Sequence, residues 1–449
     1  MARFVTDLLY SLGNCLNCFP GSPTLKINSR SFKILRLLGE VPRPVQDPVM
    51  SLDQGGFSYV YLVQDTATHE LLALKKIRCP FGAESVQQAM REVDAYRLFA
   101  HVPGVISAVD HAVATERGAD EATKTVYVLL PYYRRGNLQD MINANLVNGG
   151  SFPERHLMTL FLGVCRAVRS MHEYRPPPAE RMEMGDEDEG EGDAAAAGRR
   201  RRAGSKLGGR SRRSEADDEE DQERPLMGAE DRVSGGGGAT RSYAHRDVKP
   251  GNIMIDDSGS APILMDLGSV AASPTPITSQ SVALQVQDTA AEHSTMPYRA
   301  PELFDVHTGS VVDTKTDIWS LGCTLYACLV GKSPFEMRSD ETGGTLSLCV
   351  LGGDWRFPDE TPAAARRVNT IGQAKARAAS ASASASASAA GPEPACPGPG
   401  PGPGPSISEP VRDIVRRCLR VDPAERPDIG QLIALVERVV ESLPDDGAL

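Results

Sequence analysis

Apolar residues recur along this chain in two rhythms. Leu157, Leu160, Phe161, Val164, Cys165, Val168 and Met171 lie three or four apart. That spacing lines one face of a helix and predicts an amphipathic helix over 153–173. Helices are also predicted from about Glu84 to Ala100, near Val282 to Glu292 and from Asp317 onward, and the same spacing predicts two more within 409–443. In that last stretch Val411, Ile414, Val415, Cys418 and Leu419 share one face, and Ile429, Leu432, Ile433, Val436 and Val440 share another. The second rhythm is alternation. Tyr59, Tyr61 and Val63 alternate with Val60 and Leu62, as in a half-buried strand. Further strands are predicted at 30–40, 71–78 and 125–133, with a hairpin over 253–265 around Asp257-Ser258-Gly259.

Three stretches break both rhythms. Residues 41–54 carry three prolines and no period. Residues 175–241 hold two acidic runs, a basic run over 199–213 and Gly235 to Gly238. Apolar side chains there are too sparse for a core, so this segment reads as a disordered insertion. Its basic run fits a nuclear-localisation or phosphoinositide patch, or simply a solvated loop. The insertion interrupts a helix-to-strand connection, so its two ends must lie close in space. Residues 362–405 end in Ser-Ala and Gly-Pro repeats and read as a further disordered insertion.

The N-terminal residues form a separate case. Phe4, Leu8, Leu12 and Leu16 recur every four residues and predict a short amphipathic helix. Cys15 and Cys18 close it and are candidates for S-palmitoylation. An apolar N-terminus docked on the domain is the alternative. Position 2 is Ala, which excludes N-myristoylation at this start.

Charge narrows the class. The 449 residues carry 48 basic and 59 acidic side chains, net −11, which argues against a direct nucleic-acid partner. Nine scattered cysteines form no disulfide framework, as in a reducing cytoplasm. No apolar run reaches the ~18 residues of a membrane span, and no secretory signal is expected. Nothing in the sequence signals an oligomeric state.

The chemistry concentrates in His245-Arg246-Asp247-Val248-Lys249-Pro250-Gly251-Asn252, followed by Asp266-Leu267-Gly268 and Ala300-Pro301-Glu302. This is the order H-R-D-x-K-x-x-N, D-x-G, A-P-E of a protein kinase catalytic segment. Phosphoryl transfer needs a carboxylate at the attacking hydroxyl, oxygen ligands for Mg²⁺ and a cation on the phosphates. Asp247 is the candidate for the first, Asn252 and Asp266 for the second, and Lys249 and Lys75 for the third. Ala73-Leu74-Lys75 matches the lysine-bearing strand, and Glu92 on the following helix is placed to pair with Lys75. Gly39, Gly55, Gly56 and Val60 read as a Gly-rich nucleotide hairpin interrupted at its tip by 41–54; glycines there admit phosphates close to backbone N–H groups.

The ordered part resembles a eukaryotic Ser/Thr protein kinase, and more narrowly the Numb-associated kinase family. Within it, the match runs toward the small Golgi- and membrane-associated branch whose members carry myristate and palmitate. The residues behind this are GGFSYVYLV (55–63), ALKKI (73–77), MREVDAYRLF (90–99), LLPYYRRGNL (129–138), YAHRDVKPGNIM (243–254), MDLGS (265–269), YRAPELF (298–304) and DIWSLGCTLYA (317–327). The resemblance implies an α+β bilobal fold, with a small β-rich first lobe (30–134) and a larger helical second lobe (135–445), after an N-terminal segment (1–29). It implies ATP and Mg²⁺, protein substrates, autophosphorylation and a role in membrane trafficking. It also implies a cytoplasmic location with peripheral attachment to Golgi or other membranes. By position, Ala73, Leu130 and Met254 border the adenine, and Pro131 and Tyr133 form the hinge. Thr275, Thr278, Ser281 and Thr295 belong to the activation segment. Asp317 anchors the backbone at His245 and Arg246, and Arg426 pairs with Glu302. The departures are Ala2 and the interruption at 41–54. The alternative function is a membrane-associated pseudokinase-like scaffold with weakened ATP use.

Overall fold

The computed structural model describes residues 24–42, 57–115, 123–176, 241–360 and 407–444. Cys15, Cys18, Gly55, Gly56 and the charged and repetitive runs lie outside the described residues.

The alternation at 59–63 becomes β3 (Phe57–Asp65), inside a six-stranded antiparallel sheet. Its order is β1-β2-β3-β4-β6-β5, with β1 (Thr24–Ile27), β2 (Arg30–Pro42), β4 (Leu71–Cys79), β5 (Asp110–Thr115) and β6 (Lys124–Pro131). Successive side chains of a strand point to opposite faces, and β4 shows the result. Leu72 and Leu74 join Phe32, Val63 and Leu129 in one small core. Ala73 and Ile77 face the other way, into the main core with Val93 and Tyr96 of helix α1 (Gly82–Leu98).

Two strands of this sheet escape the sequence pattern. β1 has four residues, and it places Thr24–Ile27, read as N-terminal segment, in the first-lobe sheet against β2. β5, six residues with only two bulky apolar or β-branched side chains, is too short and polar to show a period. The structure also moves the edge of the interruption. Gly39 pairs with Val60, and the ladder continues through Val41 with Ser58 to Pro42 with Phe57. Val41 and Pro42 therefore belong to β2.

The second lobe is helical. Helix α2 (Leu138–Asn148) starts on a capping box between Asn137 and Asp140. Helix α3 (Glu154–His172) buries the whole predicted face from Leu157 to Met171. The short β7 (Ser242–Ala244), β8 (Ile253–Ile255) and β9 (Pro262–Leu264) carry the catalytic segment, and α4 (Gln280–His293) follows. Helix α5 (Lys315–Val330) is buried from Thr316 to Cys328. Helices α6 (Pro334–Thr342) and α7 (Leu346–Leu351) were not legible as periods; α8 (Glu409–Cys418) and α9 (Ile429–Ser442) were. α8 approaches α5 at Gly322, where a Cβ would sit 2.5 Å from the Cys418 side chain. Among the described residues no helix is long and apolar enough to cross a membrane.

The ends of the 175–241 interruption do meet. The Arg241 N–H donates to the Tyr174 carbonyl at 2.9 Å, and Tyr174 and Tyr243 both pack edge-on against Phe99.

Candidate active site

The catalytic segment hangs from α5. The N–H groups of His245 and Arg246 donate to Asp317 Oδ2 and Oδ1, each at 2.8 Å, as expected for Asp317. His172, at the end of α3, adds Nε2 to Asp317 Oδ2 at 2.8 Å. Burial would raise the Asp317 carboxyl, but the His172 contact and the backbone donors hold it below the ordinary range. These bonds fix a turn in which Arg246 takes a left-handed φ of 67°. His245 Nε2 donates to the Met265 carbonyl at 2.9 Å, and its Nδ1 accepts from Asp247 N at 3.2 Å. No sequence motif marked His172; only the tertiary contact reveals it.

Asp247 is held from three sides. Its Oδ2 accepts from Lys249 Nζ at 2.8 Å and Asn252 Nδ2 at 2.9 Å. Its Oδ1 accepts from the Thr295 backbone at 2.8 Å. Lys249 also donates to Thr295 Oγ1 at 2.6 Å, so Thr295 contacts both Asp247 and Lys249. The turn that presents Thr295 is pinned by the buried Arg299, whose guanidinium donates to Ser294 Oγ and O at 2.7 and 2.8 Å. Arg299 was another residue the sequence reading missed.

The first lobe contributes Lys75 from β4 and Glu92 from α1. Lys75 Nζ lies 2.6 Å from Glu92 Oε1 and 3.0 Å from Asp266 Oδ1. Burial alone would lower the lysine, but Asp266 and Glu92 outweigh it and hold the ammonium well above its ordinary range. Asp266, in a left-handed turn at φ 58°, is in turn held low: burial opposes this, and Lys75 overcomes it. α4 reaches the same helix, since Gln88 contacts Glu292 and His293 at 3.3 and 3.0 Å. Between these groups lies a cavity of about 190 Å³, lined among others by Ser58, Lys75, Asp247, Asp266 and Thr295.

The other predicted residues fall around this centre. Ala73 pairs with Leu130 across the sheet, and Val60 pairs with Gly39 on one side and Lys75 on the other. Pro131 and Tyr133 are half-buried where β6 leaves the sheet, and Met254 sits half-buried on β8. Thr275 Oγ1 accepts from Arg246 Nη2 at 3.1 Å, and Arg246 Nε is buried with no hydrogen-bond partner among the described residues. Thr278 and Ser281 are exposed. Arg426 grips Glu302 with both terminal nitrogens, at 2.7 and 2.9 Å, as expected.

An amine on two carboxylates, a carboxylate aligned by a lysine and an amide, and a hinge between a sheet and a helical lobe define a phosphotransferase of the protein kinase class. The family model described as "Protein kinase domain" matches residues 48–175 and 240–435, skipping 176–239 within the interruption. Serine/threonine-protein kinase ENV7 of Saccharomyces cerevisiae is 30% identical over 447 residues, 97% of this chain and 99% of the relative. Serine/threonine-protein kinase ppk13 of Schizosaccharomyces pombe is 31% identical, over 75% of this chain and 82% of its own. The human Serine/threonine-protein kinase 16 is 32% identical, over 67% of this chain and 74% of its own. The chain belongs to the eukaryotic Ser/Thr protein kinase family, and it is a protein kinase in fold and in enzyme class. The pseudokinase-like alternative finds no support in these relatives.

Proposed function

We propose that this enzyme transfers the γ-phosphate of ATP to Ser and Thr hydroxyls, with Asp247 accepting the hydroxyl proton. The observation that carries this reading is the set of bonds, 2.6–2.9 Å long, that join Asp247, Lys249, Asn252 and Thr295. They aim a carboxylate at one point beside a cation. Asn252 spends its Nδ2 on Asp247, which leaves its amide oxygen, with the Asp266 carboxylate, as hard oxygen ligands suited to Mg²⁺. When bound, Mg²⁺ neutralises the phosphate charge. Lys75, steadied by Glu92, holds the α- and β-phosphates. Val60, Ala73, Leu130 and Met254 border the adenine, with the backbone of Pro131 and Tyr133 meeting its edge. Gly39, Gly55 and Gly56 form the phosphate cover. Chelating Mg²⁺ should abolish transfer from ATP to a Ser/Thr peptide and re-addition should restore it; transfer that persists in chelator defeats the reading.

Autophosphorylation fits the activation segment, with Thr275 beside Arg246 favoured over the exposed Thr278 and Ser281. The segment is already braced by Arg299, Thr295 and Glu302–Arg426, which supports basal activity in phosphatase-treated enzyme. Silence of that preparation would count against it. The quoted motifs support membership of the Numb-associated family and its Golgi-associated branch, with a role in membrane trafficking. Attachment would then rest on Cys15 and Cys18, because one acyl chain anchors marginally and two anchor stably. Absent palmitate labelling, with fully soluble fractionation, would refute a cytoplasmic enzyme peripheral on Golgi or other membranes.

A further inference from the structure

Helix α1 carries Glu92 and, one turn later, Tyr96. Residues four apart share a helix face, and both side chains are buried, at 2% and 1% exposure. The Tyr96 hydroxyl donates to Glu92 Oε1 at 2.7 Å, the same oxygen that accepts Lys75 Nζ at 2.6 Å. A ring in this place needs only to fill volume. Phenylalanine would do that without a hydroxyl to strip of water. The hydroxyl instead occupies the junction between α1 and the Asp266-Leu267-Gly268 turn. Leu267 shares the core with Tyr96, and Gly268 lies so near that an added Cβ would sit 3.4 Å from Glu92 Oε2. Burial and the charges of Glu92 and Asp266 push the phenol well above its ordinary range, so it remains a donor.

We propose that Tyr96 is a positioning residue for phosphoryl transfer, whose hydroxyl fixes Glu92 and through it aims Lys75. The inference rests on reading Lys75 and Glu92 as the phosphate-binding pair. Lys75 is shared between two carboxylates, Glu92 at 2.6 Å and Asp266 at 3.0 Å. A glutamate held by one flexible lysine keeps freedom about its own torsions, and ordering it costs entropy. A second donor, fixed to the same helix, removes that freedom before the nucleotide arrives. Hydrogen bonds from a hydroxyl to a carboxylate are also among the shorter and stronger ones. Without Tyr96, Glu92 can swing away and Lys75 can settle on Asp266.

The test is a double-mutant cycle on the full chain: Tyr96→Phe, Glu92→Ala, the double variant, and Lys75→Met as control. kcat and KM for ATP and peptide are measured below the lowest melting midpoint of the set. Tyr96→Phe should lower kcat on the order of tenfold and leave KM for peptide unchanged. In the Glu92→Ala background the same change should cost less than about twofold, because the hydroxyl acts through the missing carboxylate. Wild-type kcat in Tyr96→Phe overturns the proposal, and so does an equal loss in both backgrounds, the mark of a merely structural ring. Wild-type kcat in Glu92→Ala and Lys75→Met would instead bring down the reading of the pair beneath it.

Discussion

The two walls of the active cleft are built differently. On the second-lobe side, all four carboxylate oxygens of Asp247 and Asp317 accept hydrogen bonds, from His172, His245, Arg246, Lys249, Asn252 and Thr295. Both aspartates are buried. On the first-lobe side, β2 slips register twice, between Ile34 and Arg36 and between Leu37 and Gly39, and leaves Leu35, Leu37 and Leu38 exposed. The floor is fixed by charges that burial forces to pair. The cover is fixed by a backbone ladder, which takes almost any side chain. Substitution should therefore hurt the floor far more than the cover.

The largest effect should come from Asp247→Asn. It removes the proposed proton acceptor and turns an amide N–H₂ toward a donor from which the carboxylate accepts, so it should lower kcat by about 10²–10⁴-fold and lower the melting midpoint as well. Retained turnover would move the base elsewhere and dissolve the contrast between floor and cover.

Next comes the anchor. Asp317→Ala strands the N–H groups of His245 and Arg246 together with His172. Removing one partner from a buried ionic network typically costs about 3–5 kcal/mol, read from denaturant midpoints. A loss within experimental error would show that α5 positions the catalytic turn by packing alone. The same carboxylate predicts a smaller, pH-dependent effect. Its folded pKa lies below the ordinary 3.8, so its contribution is complete above that value and fades as the pH falls through the lower folded value. Asp317→Asn should therefore lose less stability than wild type on acidification below about pH 4. Parallel acid slopes would mean that this aspartate does not sense the turn.

The contrast also explains what the sequence disclosed. Floor residues are legible because the chemistry allows few substitutes: an acid at 247, a lysine at 249 and an amide at 252 announce themselves by type and spacing. Asp317 and Arg426 were legible by the same order. His172, Tyr96 and Arg299 were not, because each acts across the fold on a partner distant in sequence or hidden on a helix face. Periodicity disclosed α3, α8 and α9, whose apolar faces are long. It missed β1, β5 and α7, which are short, and α2 and α6, whose starts lie in capping boxes, Asn137 with Asp140 and Ser333 with Glu336, rather than in a long stripe. The register of β2 was invisible, since pairing through Pro42 depends on a partner strand and not on the local sequence.

That register yields the smallest expected effect. Pro42 pairs with Phe57, so deleting residues 43–54 joins the two strands through Gly55-Gly56 alone. Two residues are the commonest hairpin length, and Gly-Gly supplies the positive φ angles that such a turn requires. Shortening a loop of this size relieves about 1–2 kcal/mol of closure entropy, on the logarithmic length dependence, so the variant should melt at or slightly above wild type. If the ladder alone sets the cover, KM for ATP should stay within about threefold and kcat should hold, as expected for an enzyme whose chemistry lies in the floor. A tenfold rise in KM would show that the deleted residues touch the phosphates. A tenfold rise in kcat would show that they restrain the lobes. Either result would make the cover as exacting as the floor.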